Sequence, residues 1–396
     1  MHVTMVNAPL LPVPPVLGGP IERTLYETAL AIDQPKMTVI SPWRKEVANW
    51  EDVPEGVFYH VDRNAQARKV RDVLGEHLPD ELQDRRRAGH FYYLNGVTDL
   101  LEDLNPDVVQ VHNDVEAMAY LAKQFSNKKK ILYMHNEPRY GGDQTAVCAR
   151  VCDHFIFVSH YLADRFCKHF PECVARSQVI YNSIDVDAFC PELKTLKKTK
   201  AIRKQFALKP NRTLLFVGRT VPVKGLHCLL DAMPLVLDVL PDARLVVAGS
   251  PLFGAVAEND YLRRLKRQAE KLGHSVVFTG FVDPEALPYY YAAADVSVAP
   301  SMWGEPFGKV VAEAMASGIP VVGSDRGAIP ELVDDGQMGL LVDDPKDSET
   351  LAGCLVDLLK DENRRKEMGK MARKKAVREF ATDVRMKKLR VFYKSI

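Results

Sequence analysis

The sequence predicts two doubly wound α/β domains, each a parallel sheet with helices on both faces. Three observations carry this. The chain has 396 residues, more than one ordinary core organises. Short β-branched runs alternate with longer helical patterns through both halves. Several of those short runs are apolar almost throughout, as strands buried on both faces are.

In the first half the strand candidates are Val3–Val6, Met37–Ile40, Val108–Val111, Lys130–Met134, Phe155–Val158 and Gln178–Tyr181. The second half repeats the style with Thr213–Val217, Ala243–Ala248, Ser275–Thr279, Val296–Ala299 and Pro320–Gly323. Between the first two of these, Leu226, Leu229, Leu230, Met233, Leu237 and Leu240 line one helix face, and Pro234 is expected to kink that helix or lie near a turn. Residues 1–190 form the first expected domain and 211–375 the second. The polar stretch 191–210, which holds no strand pattern, is read as a linker. Residues 376–396 end a long charged helical pattern.

Hydrophobic residues make up 46% and charged residues 27%, the balance of a water-soluble globular protein. A net charge of +1 offers no field for nucleic acid. Short basic runs, Arg85–Arg87, Lys128–Lys130, Lys194–Lys200 and Arg364–Lys375, could draw an anionic membrane or a lipid-linked acceptor. Glu367 interrupts the last of them, and solvated helix faces are the plainer reading. The seven cysteines are irregularly spaced; Cys148, Cys152 and His154 come nearest to a metal cluster but lack a second ligand pair. No metal is expected, and reduced, packed thiols are. No basic start with a sustained apolar core marks a signal peptide, and no window of about 18 apolar residues spans a membrane. The expectation is a cytoplasmic protein, at most peripheral to the membrane's inner face, with its oligomeric state open.

The segment Ser301-Met-Trp-Gly-Glu305-Pro306-Phe307-Gly308-Lys-Val-Val-Ala-Glu313 follows a strand candidate. Pro306 suits the first turn of a helix, and Gly308 permits close approach of a ligand. A helix starting there would offer N–H groups and a positive dipole end to an anion. On one helix, Glu305 and Glu313 would stand roughly 12 Å apart along the axis and about 80° around it. They could then take hydroxyls at the two ends of an extended ligand. Upstream, Gly218-Arg219-Thr-Val-Pro-Val-Lys224-Gly225 follows another strand and brings two cations to the mouth of a sheet. Cations there stabilise charge on a departing diphosphate.

These pieces resemble the retaining glycosyltransferases of family 4. The matching motifs are Gly218-Arg219…Lys224-Gly225, Leu245-Val-Val-Ala-Gly249, Val277-Phe-Thr-Gly-Phe281-Val282, Glu305-Pro-Phe-Gly308…Glu313-Ala-Met-Ala-Ser-Gly-Ile-Pro-Val-Val and Gly327-Ala-Ile-Pro-Glu331, in family order. The first half matches more loosely, through Gly18-Gly19, the strand ending at His135, and Ser159 opening a helix. The resemblance implies the GT-B fold, two Rossmann-like domains facing across a cleft, with the last helix returning to brace the first domain. It implies a nucleotide diphosphate sugar, UDP-sugar favoured, as co-substrate without a metal cofactor, and a carbohydrate or lipid-linked acceptor. Bacterial polysaccharide, cell-envelope or spore-coat glycan synthesis is the implied setting.

The resemblance also implies roles. Arg219 and Lys224 hold the diphosphate, Glu313 the ribose, and Glu305 with the backbone of Pro306, Phe307 and Gly308 the sugar hydroxyls. Phe281 and Val282 lie near the base. Gly18 and Gly19 let the first loop approach the donor, with Gly218 doing the same in the second domain, and His135 sits near the reacting centre. The catalytic set is therefore His135, Arg219, Lys224 and Glu305.

Two departures stand out. Tyr181-Asn182-Ser183-Ile184-Asp185 replaces the family's Pro-Asn-Gly, so Asn182 or Ser183 would have to carry a positive φ. Lys309 stands where an apolar residue is common. Tyr289, Tyr290 and Tyr291 read as core and rim of a helix, and the loop Pro12–Glu22 could line an acceptor pocket. Two rival readings remain at this level: a coat or binding protein of the same architecture without turnover, and a nucleotide-sugar epimerase. Intact Arg219, Lys224, Glu305 and Glu313 speak against the first, and the second lacks an acid–base pair at the sugar.

Overall fold

The computed structural model describes residues 1–16, 19–49, 54–74, 85–251 and 258–396. Gly18 lies outside the described residues. The chain divides into two compact units, Met1–Ile180 with Met386–Ile396, and Tyr181–Arg385.

The first unit holds a seven-stranded sheet of β1 (His2–Val6), β2 (Lys36–Pro42), β3 (Phe58–Val61), β4 (Val108–His112), β5 (Lys129–Met134), β6 (His154–Phe157) and β7 (Ser177–Val179). Every ladder is parallel and the order is β3-β2-β1-β4-β5-β6-β7. The second unit holds β8 (Thr213–Val217), β9 (Arg244–Ala248), β10 (Val276–Gly280), β11 (Val296–Ala299), β12 (Val321–Ser324) and β13 (Gly339–Val342). Its order is β10-β9-β8-β11-β12-β13, again all parallel. In both sheets the winding reverses beside the first strand, between β1 and β4 and between β8 and β11. A crevice opens at such a point beyond the carboxyl ends of the strands, where doubly wound sheets take their ligands.

The sequence reading omits two strands, β3 and β13. Both are outermost in their sheets and only four residues long; β3 is interrupted by His60, and β13, Gly-Leu-Leu-Val, is a short apolar run that periodicity alone does not mark as a strand. The helix Leu226–Val239 runs on through Pro234 and packs Leu226, Leu229, Leu230 and Met233 into the core of the second unit.

Residues 191–210, expected as a linker, fold within the second unit as a 3₁₀ turn, Pro191–Thr195, and a helix, Lys197–Gln205. Buried Thr199 donates to Leu193 O at 2.7 Å, and Lys198 Nζ lies 5.0 Å over the Tyr289 ring. Such anchoring by few apolar residues leaves little periodic signal. Asn182 and Ser183 keep negative φ, since Ile184 pairs in extended form with Ala381. Asp185 Oδ1 accepts from the N–H groups of Asp187 and Ala188 at 3.1 and 2.9 Å, closing a turn.

The basic stretch Arg364–Lys375 is not a solvated face throughout. Arg373 Nη1 donates to Val186 O and Phe189 O at 2.7 Å and to Ala316 O at 2.8 Å. Buried Lys375 donates to Glu331 O at 2.9 Å and Asp334 Oδ1 at 2.8 Å. The last helix, Thr382–Ser395, gives its residues from Met386 onward to the first unit. There Tyr393 Oη donates to Gln110 Oε1 at 2.8 Å, and Lys129 Nζ donates to Ile396 O at 2.7 Å.

Cys148 Sγ donates to Val115 O at 3.3 Å. The hydrogen bond with Cys148, followed by burial, pushes the Cys152 thiol well above its ordinary range, as for a packed, unreactive thiol. Among the described residues no helix is long and apolar enough to cross a membrane.

Asp114 caps the helix Val115–Gln124, accepting from Ala117 N at 2.9 Å, and holds His90 Nε2 at 3.0 Å. The Asp114 hydrogen bond lifts His90 above the ordinary imidazole value against the pull of burial, with the charges of Asp114 and Glu116 assisting. A histidine raised on folding contributes stability that is complete below its unfolded pKa and lost as pH rises through the folded one. Between about pH 5.5 and about pH 8.5, wild type should lose about 1 kcal/mol relative to His90→Phe in urea unfolding. An equal difference at the two pH values would refute the pairing.

Candidate donor site

The second unit places Lys224 and Glu305 in contact. Lys224 ends the short turn Pro222–Lys224 after β8, and Glu305 follows β11, the strand next to β8. Both therefore stand at the reversal point of the sheet. Lys224 Nζ lies 2.6 Å from Glu305 Oε1. Ser301 Oγ and Trp303 Nε1 donate to the same oxygen at 2.5 and 2.9 Å, and Lys224 Nζ sits 5.4 Å over the Trp303 ring. Glu305 is 6% exposed. A carboxylate oxygen taken out of water needs donors of this kind to replace its lost hydration.

Ser301 and Trp303 were not singled out from sequence. Their signal was their spacing, four and two residues before Glu305 in the same loop, which aims both at one carboxylate.

The helix of this segment runs Lys309–Ala316 with Gly308 as its N-cap. It starts three residues later than Pro306 suggested. Glu305 instead lies in extended backbone, bridged in parallel to Gly327, with Ala328 N donating to Glu305 O at 2.8 Å. The helical spacing expected between Glu305 and Glu313 therefore does not apply. Glu313 occupies the second turn of the helix, 6% exposed, and accepts from Tyr291 Oη at 2.9 Å. Burial, with the Glu313 charge second, pushes the Tyr291 phenol well above its ordinary value, so it remains a donor.

Pro306, Phe307 and Gly308 are buried. Phe307 is 3% exposed and packs near the rings of Tyr181 and Phe380, at 6.1 and 5.7 Å, which gives it a core role. Gly218 and Arg219 follow β8, and Thr220 N donates to Ser250 O at 3.2 Å, tying that loop to the one after β9. Phe281 and Val282 follow β10, with Phe281 38% exposed. Met302 N donates to Val223 O at 2.8 Å, joining the Lys224 turn to the Glu305 loop. Arg326 Nη1 donates to Met302 O at 3.1 Å from the far side.

Gly327 has φ +65°, and a Cβ there would stand 2.2 Å from Glu305 N. Gly327→Ala should lower stability by about 2 kcal/mol, through the left-handed backbone and the forced shift of Glu305. Urea midpoints measure this; an unchanged midpoint would show that the loop yields freely.

His135 and Gly19 belong to the first unit. Gly19 caps the helix Pro20–Ala31 beyond β1. His135 follows β5, is 6% exposed, and has its Nε2 3.0 Å from His112 Nδ1. The N–H groups of His135 and Asn136 both donate to Asn113 Oδ1, at 3.1 and 2.8 Å.

Fold and site together set Lys224 on buried Glu305 at the reversal point of a Rossmann-like sheet, in the same unit as the buried Glu313–Tyr291 pair. Residues 22–188 match the family model Glycosyltransferase Family 4, and residues 198–375 match Glycosyl transferases group 1. The chain is similar to Spore coat protein SA of Bacillus subtilis (strain 168), 29% identical over 388 residues and 96% of each chain. It is 33% identical over 221 residues, 54% of each chain, to a GDP-mannose-dependent alpha-(1-6)-phosphatidylinositol monomannoside mannosyltransferase of Mycolicibacterium smegmatis. The crystal structure of Anabaena Alr3699/HepE in complex with UDP-glucose superposes with a TM-score of 0.77 at 20% identity over all of both chains, a likeness of fold. The chain therefore belongs to the group 1 glycosyl transferases with a family 4 N-terminal domain, and is a glycosyltransferase of the GT-B fold.

Proposed function

We propose that the protein is a retaining transferase moving a hexosyl group from a nucleoside diphosphate sugar, UDP-sugar in preference, to a carbohydrate or lipid-linked acceptor. Synthesis of a bacterial envelope, polysaccharide or spore-coat glycan is the setting the resemblance favours. The observation that carries the reading is Lys224 held on buried Glu305 at the reversal point of the second sheet.

The chemistry follows from that placement. The bond between the anomeric carbon and the β-phosphate oxygen breaks, and the acceptor oxygen bonds to the anomeric carbon. Negative charge grows on the departing diphosphate, where Lys224 and Arg219 stabilise it. The departing phosphate oxygen takes the acceptor's proton on the face it leaves, which retains configuration. Glu305 orients Lys224 and accepts from sugar hydroxyls, Glu313 accepts from the ribose, and His135 donates near the sugar. UDP-sugars are favoured by likeness to a protein solved with UDP-glucose, whereas a mannosyltransferase relative is named for GDP-mannose. Both donors therefore belong in the test.

Purified protein incubated with UDP-, GDP- and ADP-sugars should slowly release free sugar from one of them. Proton NMR of the first product should show the donor's own anomeric configuration. Inversion would overturn retention, and no release or transfer from any donor would overturn the reading.

A further inference from the structure

A second polar array, wholly within the first unit, ends on His135, and its other members have no part in the donor chemistry described above. Gln110 and His112 are two apart on β4 and so point to the same face of the sheet. Tyr393 Oη donates to Gln110 Oε1 at 2.8 Å, Gln110 Nε2 lies 2.8 Å from His112 Nε2, and His112 Nδ1 lies 3.0 Å from His135 Nε2. Tyr393, Gln110 and His112 are 2%, 0% and 1% exposed. The Tyr133 ring, paired across from His112 on β5, stacks on His112 at 4.9 Å and on His135 at 4.6 Å.

We propose that Gln110, His112 and Tyr393 are positioning residues that hold His135 in a single neutral tautomer, with its proton on Nδ1. The direction of the chain follows from its donors. The Tyr393 hydroxyl donates to the amide oxygen, so the amide nitrogen faces His112. An amide nitrogen only donates, so His112 Nε2 must be the bare acceptor and its proton must lie on Nδ1. That Nδ1–H donates to His135 Nε2, and the His135 proton is left on Nδ1. Protonating His135 on Nε2 would set two N–H groups against each other 3.0 Å apart. The stacked Tyr133 ring keeps both imidazoles from turning out of this alignment. His135 would thus meet the sugar as a fixed N–H donor, set by a side chain almost at the end of the chain.

The role of His135 rests on the function proposed above; its tautomer does not. Long-range proton–nitrogen NMR of the ¹⁵N-histidine protein should show both His112 and His135 protonated on Nδ1. An Nε2–H form at either ring overturns the proposal without any variant. In Gln110→Glu the carboxylate accepts from both Tyr393 and His112. The chain then reverses, and His135 should change to the Nε2–H form. With UDP-glucose or GDP-mannose as donor, whichever is turned over, kcat should fall at least about tenfold while KM moves less, because a donor to the reacting sugar is lost. Tyr393→Phe, which removes one hydroxyl, should leave the His135 signal split between two tautomers and lower kcat less. An unchanged His135 spectrum in both variants contradicts the relay. An altered tautomer with unchanged turnover instead removes His135 from the reaction, and a His135→Ala variant of full activity would confirm that separately.

Discussion

Lys224→Met is expected to lower turnover of the nucleotide sugar by about 10²- to 10³-fold, mainly in kcat, the range seen on deleting one fixed donor to a developing anion. The diphosphate gains charge only as the glycosidic bond breaks, so a fixed cation counts most in the transition state. The same change leaves Glu305, 6% exposed, with Ser301 and Trp303 as its side-chain donors among the described residues. Stability should therefore fall by about 3 kcal/mol, as when one partner of a buried ion pair is removed. Glu305→Gln in the Lys224→Met background should restore most of that stability and none of the turnover. Recovery of turnover in the double variant would mean that Lys224 acts only by neutralising Glu305. Steady-state kinetics and urea midpoints on the three proteins separate these outcomes.

Glu313→Ala should weaken donor binding about 10- to 100-fold with a smaller change in kcat, since a charged acceptor to the ribose serves ground and transition state alike. The carboxylate is held in place by Tyr291, whose hydroxyl lies 2.9 Å from Oε2 and 3.1 Å from Val310 O. Tyr291→Phe should weaken binding less, because it loosens the acceptor without removing it. If Glu313→Ala and wild type bind the nucleoside diphosphate equally, Glu313 is a core carboxylate for Tyr291 and the ribose assignment fails.

The candidate donor site was legible as a pattern because its residues are local in sequence. Arg219 and Lys224 share one loop, and Glu305 to Gly308 form another just ahead of the helix that carries Glu313, with turn residues that announce each loop. What sequence could not supply there was the start of the helix. Pro306 looks like a first-turn residue, but pairing of Glu305 with Gly327 keeps the backbone extended until Gly308. Partners across the fold were also silent. Tyr291 reads as one of three helix tyrosines until β11 and the following helix bring Glu313 to it.

In the first unit the balance is reversed. His135 was visible as a histidine after a strand, but its neighbours depend on the register of β4 against β5 and on Tyr393, 283 residues beyond Gln110. No local pattern encodes such a contact. The two outermost strands β3 and β13 were missed because each is only four residues long, too short for a periodic signal, and β3 is broken by His60.

The central claim, that the second unit carries a nucleoside diphosphate site built on Lys224 and Glu305, is tested most directly by titration calorimetry with UDP, GDP and ADP. Wild type should bind one of the three with saturable heat, and Lys224→Met should weaken that binding by at least about tenfold, the share of one charge-assisted contact. Absence of binding for all three, or equal affinity in the Lys224→Met protein, would contradict it.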